Sequence, residues 1–152
     1  MTNPMDLGGA GVLVTGASSG IGREVAILLS QLNARVILTG RNEERLQQTR
    51  ESLYGEGHRV EAFDLSQTDA IPKWMQSVTA SAGPLHGIVH AAGKQSAMPI
   101  RFATEKRVDD LVRTNLYSAI MLARGFSHKS CHTPAGGSLV FLSSVMAFTG
   151  KP

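Results

Sequence analysis

Thr15-Gly16-Ala17-Ser18-Ser19-Gly20-Ile21-Gly22 joins two segments of different periodicity. Before it, Gly11 to Thr15 (GVLVT) is a short apolar run rich in β-branched residues, which predicts a buried strand. After it, Ile21, Val25, Leu28, Leu29 and Leu32 recur at helical spacing and predict one apolar stripe on a helix that Asn33 closes. A strand that turns at once into a helix needs small residues. Gly16 allows the tight turn, Gly20 lets a ligand approach the backbone, and Gly22 lets helix and strand pack closely. The start of such a helix carries unpaired N–H groups and a partial positive charge. Ser18 and Ser19 add hydroxyl donors, so the turn suits a phosphate. The plainer alternative is a glycine turn kept for geometry alone.

The rest of the chain repeats the same alternation. Arg35 to Thr39 (RVILT) is a second buried strand, and Asn42 can cap a helix running to about Tyr54, ended by Gly55 and Gly57. His58 to Phe63 is a third strand, ending at Asp64. Thr68 to Ala82 is a third helix with Pro72 near its first turn, and Gly83-Pro84 breaks it. Leu85 to His90 is a fourth strand, and a long helix runs from about Thr104 to His128. The loop Pro134 to Gly137 leads into a fifth strand, Ser138 to Leu142, apolar after its first residue and expected to be buried on both faces. The order βαβαβαβαβ implies an α/β, Rossmann-like, doubly wound parallel sheet with strand order 3-2-1-4-5.

Composition narrows the function classes. The 152 residues suffice for one domain, 1–152. With 42% hydrophobic and 18% charged residues, the chain reads as globular and soluble, not disordered. The net charge of +3 is scattered, which argues against a nucleic-acid partner and suits a few phosphates on a small ligand. A single cysteine, Cys131, excludes an internal disulfide and points to the cytoplasm. Met1 to Gly9 lacks the pattern of a signal peptide, and runs such as Val25 to Leu29 are too short to span a bilayer. His128 and His132 flank Cys131, but they fall where the long helix should fray and have no carboxylate nearby, so no metal site is expected. Trp74 is expected to pack on the third helix, while His58 and His86 begin strands and carry no pattern.

The glycine spacing is G-x-x-x-G-x-G, and TGASSGIG resembles the signature of the short-chain dehydrogenase/reductase family. Further segments are similar to that family in the same order. Asp64-Leu65 stands where the family's Asp contacts adenine. His90-Ala91-Ala92-Gly93 stands where Asn-Asn-Ala-Gly is usual. Asn115-Leu116 lies at the place of the catalytic Asn, and Ser143-Ser144-Val145 at that of the catalytic Ser. Two departures matter. His90-Ala91 replaces the Asn-Asn pair, although the close-passing Ala92-Gly93 is kept. The family's Tyr-x-x-x-Lys pair does not occur: neither Tyr54 nor Tyr117 has a Lys four residues on. The chain is therefore expected to be the front portion of a longer enzyme.

The resemblance implies cofactor contacts at Gly16, Ser18, Ser19, Gly20, Ile21, Gly22, Arg41, Asp64, Leu65, His90, Ala91, Ala92 and Gly93. At the end of the second strand, an NAD site places a carboxylate for the ribose 2′-hydroxyl. Gly40-Arg41 stands there instead, and a guanidinium binds a 2′-phosphate in a charge-assisted fork, so NADP(H) is the expected cofactor. Glu43 and Glu44 are close, but sit where acids favour a helix start. Ser144 is expected to donate to the substrate oxygen and Asn115 to support a proton path, with Ser143 capping the strand end. The expected activity is reduction of a ketone or aldehyde by hydride transfer, similar to the 3-oxoacyl carrier-protein reductases. A different class remains open: a nucleotide-holding module without chemistry. Besides the small carbonyl or alcohol substrate, the expected partners are further copies of the chain or a C-terminal portion.

Overall fold

A computed structural model describes residues 3–96 and 98–145. Met1, Thr2, Ala97 and the segment 146–152, which the single-domain reading includes, lie outside the described residues. Five strands form one sheet: β1 (Gly11–Thr15), β2 (Arg35–Gly40), β3 (Arg59–Ala62), β4 (Gly87–His90) and β5 (Ser138–Phe141). All neighbours are parallel and the order is β3-β2-β1-β4-β5, as the sequence predicts. Thr15 is level with Thr39 on one side and His90 on the other, so the strands end together at one edge.

The central strands bury both faces because their alternate residues reach two separate cores. Val12, Val14, Val36 and Leu38 meet Ala26 of α1 (Gly20–Gln31) and Leu46 of α2 (Glu43–Glu51). Leu13, Ile37 and Ile88 meet Met75 and Val78 of α3 (Ile71–Ala82) and Leu122 and Phe126 of α5 (Ser118–Phe126). Helices therefore cover both faces. Pro72 sits in the first turn of α3, and one 3₁₀ turn (Thr68–Ala70) precedes that helix. Among the described residues no helix is long and apolar enough to cross a membrane.

Three expectations need correction. The apolar stripe predicted for the first helix is only partly its packing face: Val25 and Leu29 pack against the core. Ile21 and Leu28 are more than half exposed, and the buried face is Gly22, Ala26 and Ser30. Small residues there let α1 lie close on the sheet, so its larger side chains flank the contact. Secondly, the long helix is not uniform. It comprises α4 (Glu105–Val112), a π-turn (Arg113–Tyr117) and α5. Thirdly, β5 is not buried on both faces: Val140 is 51% exposed and Phe141 44%.

His58 and His86 also do more than begin strands. His86 Nδ1 accepts the Gly11 N–H and His58 Nδ1 accepts that of Val36, both at 3.1 Å. Each imidazole satisfies a backbone donor at the start of the neighbouring strand. Trp74 stacks on Phe63 with ring centroids 4.5 Å apart. Cys131 is buried and receives the Thr79 hydroxyl at 3.6 Å.

Candidate functional site

The turn after β1 is tight because the backbone allows nothing larger. Gly16 has φ +67°, and a Cβ there would lie 2.8 Å from Ala92 N and 2.9 Å from Ala91 C. A Cβ on Gly22 would lie 2.7 Å from Gly16 C and would strike Gly16 O. The β1 turn, the Ala91-Ala92 backbone and the start of α1 are thus in contact. Gly20, φ +54°, differs: nothing lies within 4 Å of a Cβ there, so that side of the turn faces open space.

Helix α1 begins without a cap. Ser19 at its N-cap makes no side-chain capping bond, and the first turn has no acidic residue. The N–H groups and positive end of the helix are left for an anion. The start of α2 contrasts with it. Asn42 Oδ1 accepts the Arg45 N–H at 2.9 Å, and Glu43 and Glu44 occupy the first turn.

Around the turn lies a cleft of about 300 Å³ at the C-terminal ends of the strands. Two other hollows have volumes of about 310 and 320 Å³, so position rather than size distinguishes this one. Its walls come from four places: Gly16, Ser18, Ser19, Ile21 and Gly22 after β1; Gly40 and Arg41 after β2; Phe63, Asp64, Leu65 and Ser66 after β3; and Ala91, Ala92, Gly93 and Lys94 after β4, with Thr114. Ligands of open α/β sheets occupy this crevice. The structure brings together every expected cofactor contact except Gly20 and His90. Phe63, Ser66, Lys94 and Thr114 are additions that the sequence reading missed; Lys94, a cation directly after Gly93, is the one with a visible signal.

His90 lies behind the wall, 3% exposed. Its proton positions follow from its neighbours. The Ser118 hydroxyl gives its proton to Thr114 O at 2.6 Å, so its oxygen accepts from His90 Nε2 at 3.1 Å. Nδ1 is then the acceptor and takes the Thr15 hydroxyl proton at 2.7 Å, while Thr15 Oγ1 accepts the Ala92 N–H at 3.1 Å. The chain of donors is complete only with a neutral imidazole. Burial pushes the His90 pKa down to about 4. His90 thereby ties β1, the cleft wall at Ala92 and the helix at Ser118 together.

Asn115 sits in the π-turn, and its amide grips another segment. Its Oδ1 accepts the Lys94 N–H at 2.7 Å, and its Nδ2 donates to Lys94 O at 2.9 Å. Ser143 and Ser144 follow β5 and are exposed. Neither Asn115 nor Ser144 lines the cleft.

Asp64 feels opposing influences. Burial raises its pKa, but the backbone and side chain of Ser66 and the charges of Arg41 and Lys94 hold it below the usual carboxylate range. His128 bonds Ser130 and His132 bonds the Thr133 carbonyl.

The sequence profile of the short chain dehydrogenase family matches residues 10–152. The chain belongs to the short-chain dehydrogenase/reductase family. It is 31% identical to gluconate 5-dehydrogenase of Gluconobacter oxydans, over 100% of this chain and 60% of that enzyme. A short-chain alcohol dehydrogenase structure from Sinorhizobium meliloti is 32% identical with a TM-score of 0.86, covering 97% of this chain and 59% of that one. A short chain dehydrogenase from Escherichia coli, complexed with NADPH, is 30% identical with a TM-score of 0.83, covering 98% of this chain and 65% of that one. This short-chain dehydrogenase/reductase chain thus spans about three fifths of the length of these relatives.

Proposed function

We propose that this chain is the cofactor-holding portion of an NADP(H)-dependent oxidoreductase that reduces a ketone or aldehyde. The observation that carries the reading is the pairing of the uncapped α1 start with Arg41 in one cleft. The cleft fits the group: Gly16, Ser18, Ser19 and Gly22 line it at the start of α1, and the positive helix end there favours a pyrophosphate. Arg41, where an NAD site carries a carboxylate, favours a 2′-phosphate. The Escherichia coli relative with NADPH supports the same cofactor.

When bound, the reduced nicotinamide supplies hydride. The roles left to this chain are orientation and polarisation. Thr15 and His90 hold the Ala92 backbone, a wall of the cleft that would receive the cofactor, and Asn115 holds the backbone of Lys94. Ser144, just beyond β5, is proposed to donate to the carbonyl oxygen where negative charge develops. The proton donor of the family's Tyr-x-x-x-Lys pair is not among the 152 residues.

Calorimetric titration with NADPH and NADH tests the proposal, with Gly20→Val as the control. The expected result is tighter NADPH binding, lost in Gly20→Val because a branched side chain at φ +54° distorts the turn, while far-UV circular dichroism keeps the overall helix and strand content. Unaltered affinity in Gly20→Val contradicts the assignment of the turn.

A further inference from the structure

Among the described residues, three charged side chains line the cleft: Arg41, Asp64 and Lys94. Lys94 is fixed twice by the long helix. Asn115 holds its backbone, and Asp110, five residues earlier, takes its ammonium in a fork at 2.6 and 2.9 Å. This ion pair faces water, with the two side chains 27% and 53% exposed. A water-facing pair is worth little and is screened by salt. A 2′-phosphate offers more negative charge than a carboxylate and three acceptor oxygens, and a pyrophosphate offers two charges over four free oxygens, so either competes well for the same ammonium. Lys94 also acts on Asp64 from within the cleft, as Arg41 does. Two cations thus stand against one carboxylate in a cleft read as the place of a pyrophosphate and a 2′-phosphate.

We propose that Lys94 is a second phosphate-binding cation of the cleft, which Asp110 holds aside until a phosphorylated nucleotide takes its place. The proposal rests on the cleft being a dinucleotide site. It adds a phosphate-binding residue that the glycine turn and Arg41 do not include. The phosphate is either the pyrophosphate common to both nicotinamide dinucleotides or the 2′-phosphate of one.

Calorimetry on the 152-residue chain, on Lys94→Gln, on Asp110→Asn and on the double variant separates these cases. Each is titrated with NADPH, NADH, 2′-phosphoadenosine 5′-diphosphate and ADP. Lys94→Gln is expected to weaken NADPH about tenfold, as for a lost charge-assisted bond. Asp110→Asn is expected to tighten it roughly threefold by releasing the ammonium, and the double variant to lose that gain. A loss with NADPH and 2′-phosphoadenosine 5′-diphosphate alone assigns the contact to the 2′-phosphate. Equal losses with all four assign it to the pyrophosphate. Weaker binding in Asp110→Asn, with lowered thermal stability of the free variant, makes the pair a structural brace and overturns the proposal. Unchanged affinity in Lys94→Gln overturns it while leaving the dinucleotide site standing. Failure of the unsubstituted chain to bind any of the four overturns both.

Discussion

At Arg41 the chain has just left β2, and its guanidinium borders a cleft whose other walls are mostly small. Gly40 lies against the glycine turn: a Cβ there would come 3.7 Å from Ser18 Oγ. The Ala17 N–H bonds Thr39 O at 3.2 Å, which ties that turn to β2. Arg41→Ala is therefore expected to weaken NADPH more than NADH, by about 1.5–3 kcal/mol for a lost charged hydrogen bond. Titration with both nucleotides checks this, and an equal loss for both removes Arg41 as the selector. His90 makes a prediction about pH. Its folded pKa is near 4 against an ordinary 6.5, so between those values the unfolded chain binds a proton that the folded chain refuses. The contribution is whole above pH 6.5 and is lost as pH falls towards 4, about 3 kcal/mol in all. Urea unfolding across that window should show the slope, and His90→Asn should flatten it. An unchanged slope in His90→Asn would mean that another group titrates.

Elements were legible where a periodic pattern and a packing requirement coincided. The β-branched runs of β1 and β2 and the capping Asn42 read directly, because each is a local signal with one structural outcome. α1 read as a helix, but its packing face did not. Val25 and Leu29 of the stripe pack on the core but Ile21 and Leu28 lie outside the contact, since closeness to the sheet is set by Gly22, Ala26 and Ser30. Ala26→Leu should therefore overpack that contact and cost about 1–3 kcal/mol. Leu28→Ala, at an exposed position, should stay within about 0.5 kcal/mol. Chemical denaturation of both variants decides, and the reverse ranking would restore the stripe as the buried face. The π-turn was not legible, because a helical repeat over Glu105 to Phe126 does not register one widened turn. Its consequence is local to the site: Thr114, Asn115 and Ser118 lie within or beside it, and each bears on the cleft wall. Lys94 and Thr114 were missed for a related reason. Thr114's membership depends on which segments meet at the ends of β3 and β4, and no local pattern encodes that; Lys94 had a local signal, a cation directly after Gly93, but nothing local says that it faces the cleft.

Across the whole molecule, alternating strands and helices with right-handed crossovers imply a doubly wound parallel sheet, and the expected order 3-2-1-4-5 is one of the two common for such sheets and the one observed. The burial of β5 was not, because it depends on what lies beyond it. Among the described residues β5 is the last strand on its side of the sheet. Val140, Phe141 and Leu142 along it are 39–51% exposed. The long helix adds Leu116, Tyr117 and Ile120, each more than two fifths exposed. An edge strand that shows apolar side chains to water is a template for another chain. The 152-residue chain by itself is therefore expected to self-associate, and sedimentation velocity at micromolar concentration should show species heavier than 16.2 kDa. Turnover should be absent in the same preparation. Reducing a carbonyl needs a proton donor, and neither the Ser144 hydroxyl nor the Asn115 amide releases a proton near neutral pH. NADPH oxidation with a panel of ketones and aldehydes checks the second half. A stable monomer would show that the exposed flank of β5 is tolerated in water, and sustained oxidation would show that a proton donor lies within these 152 residues.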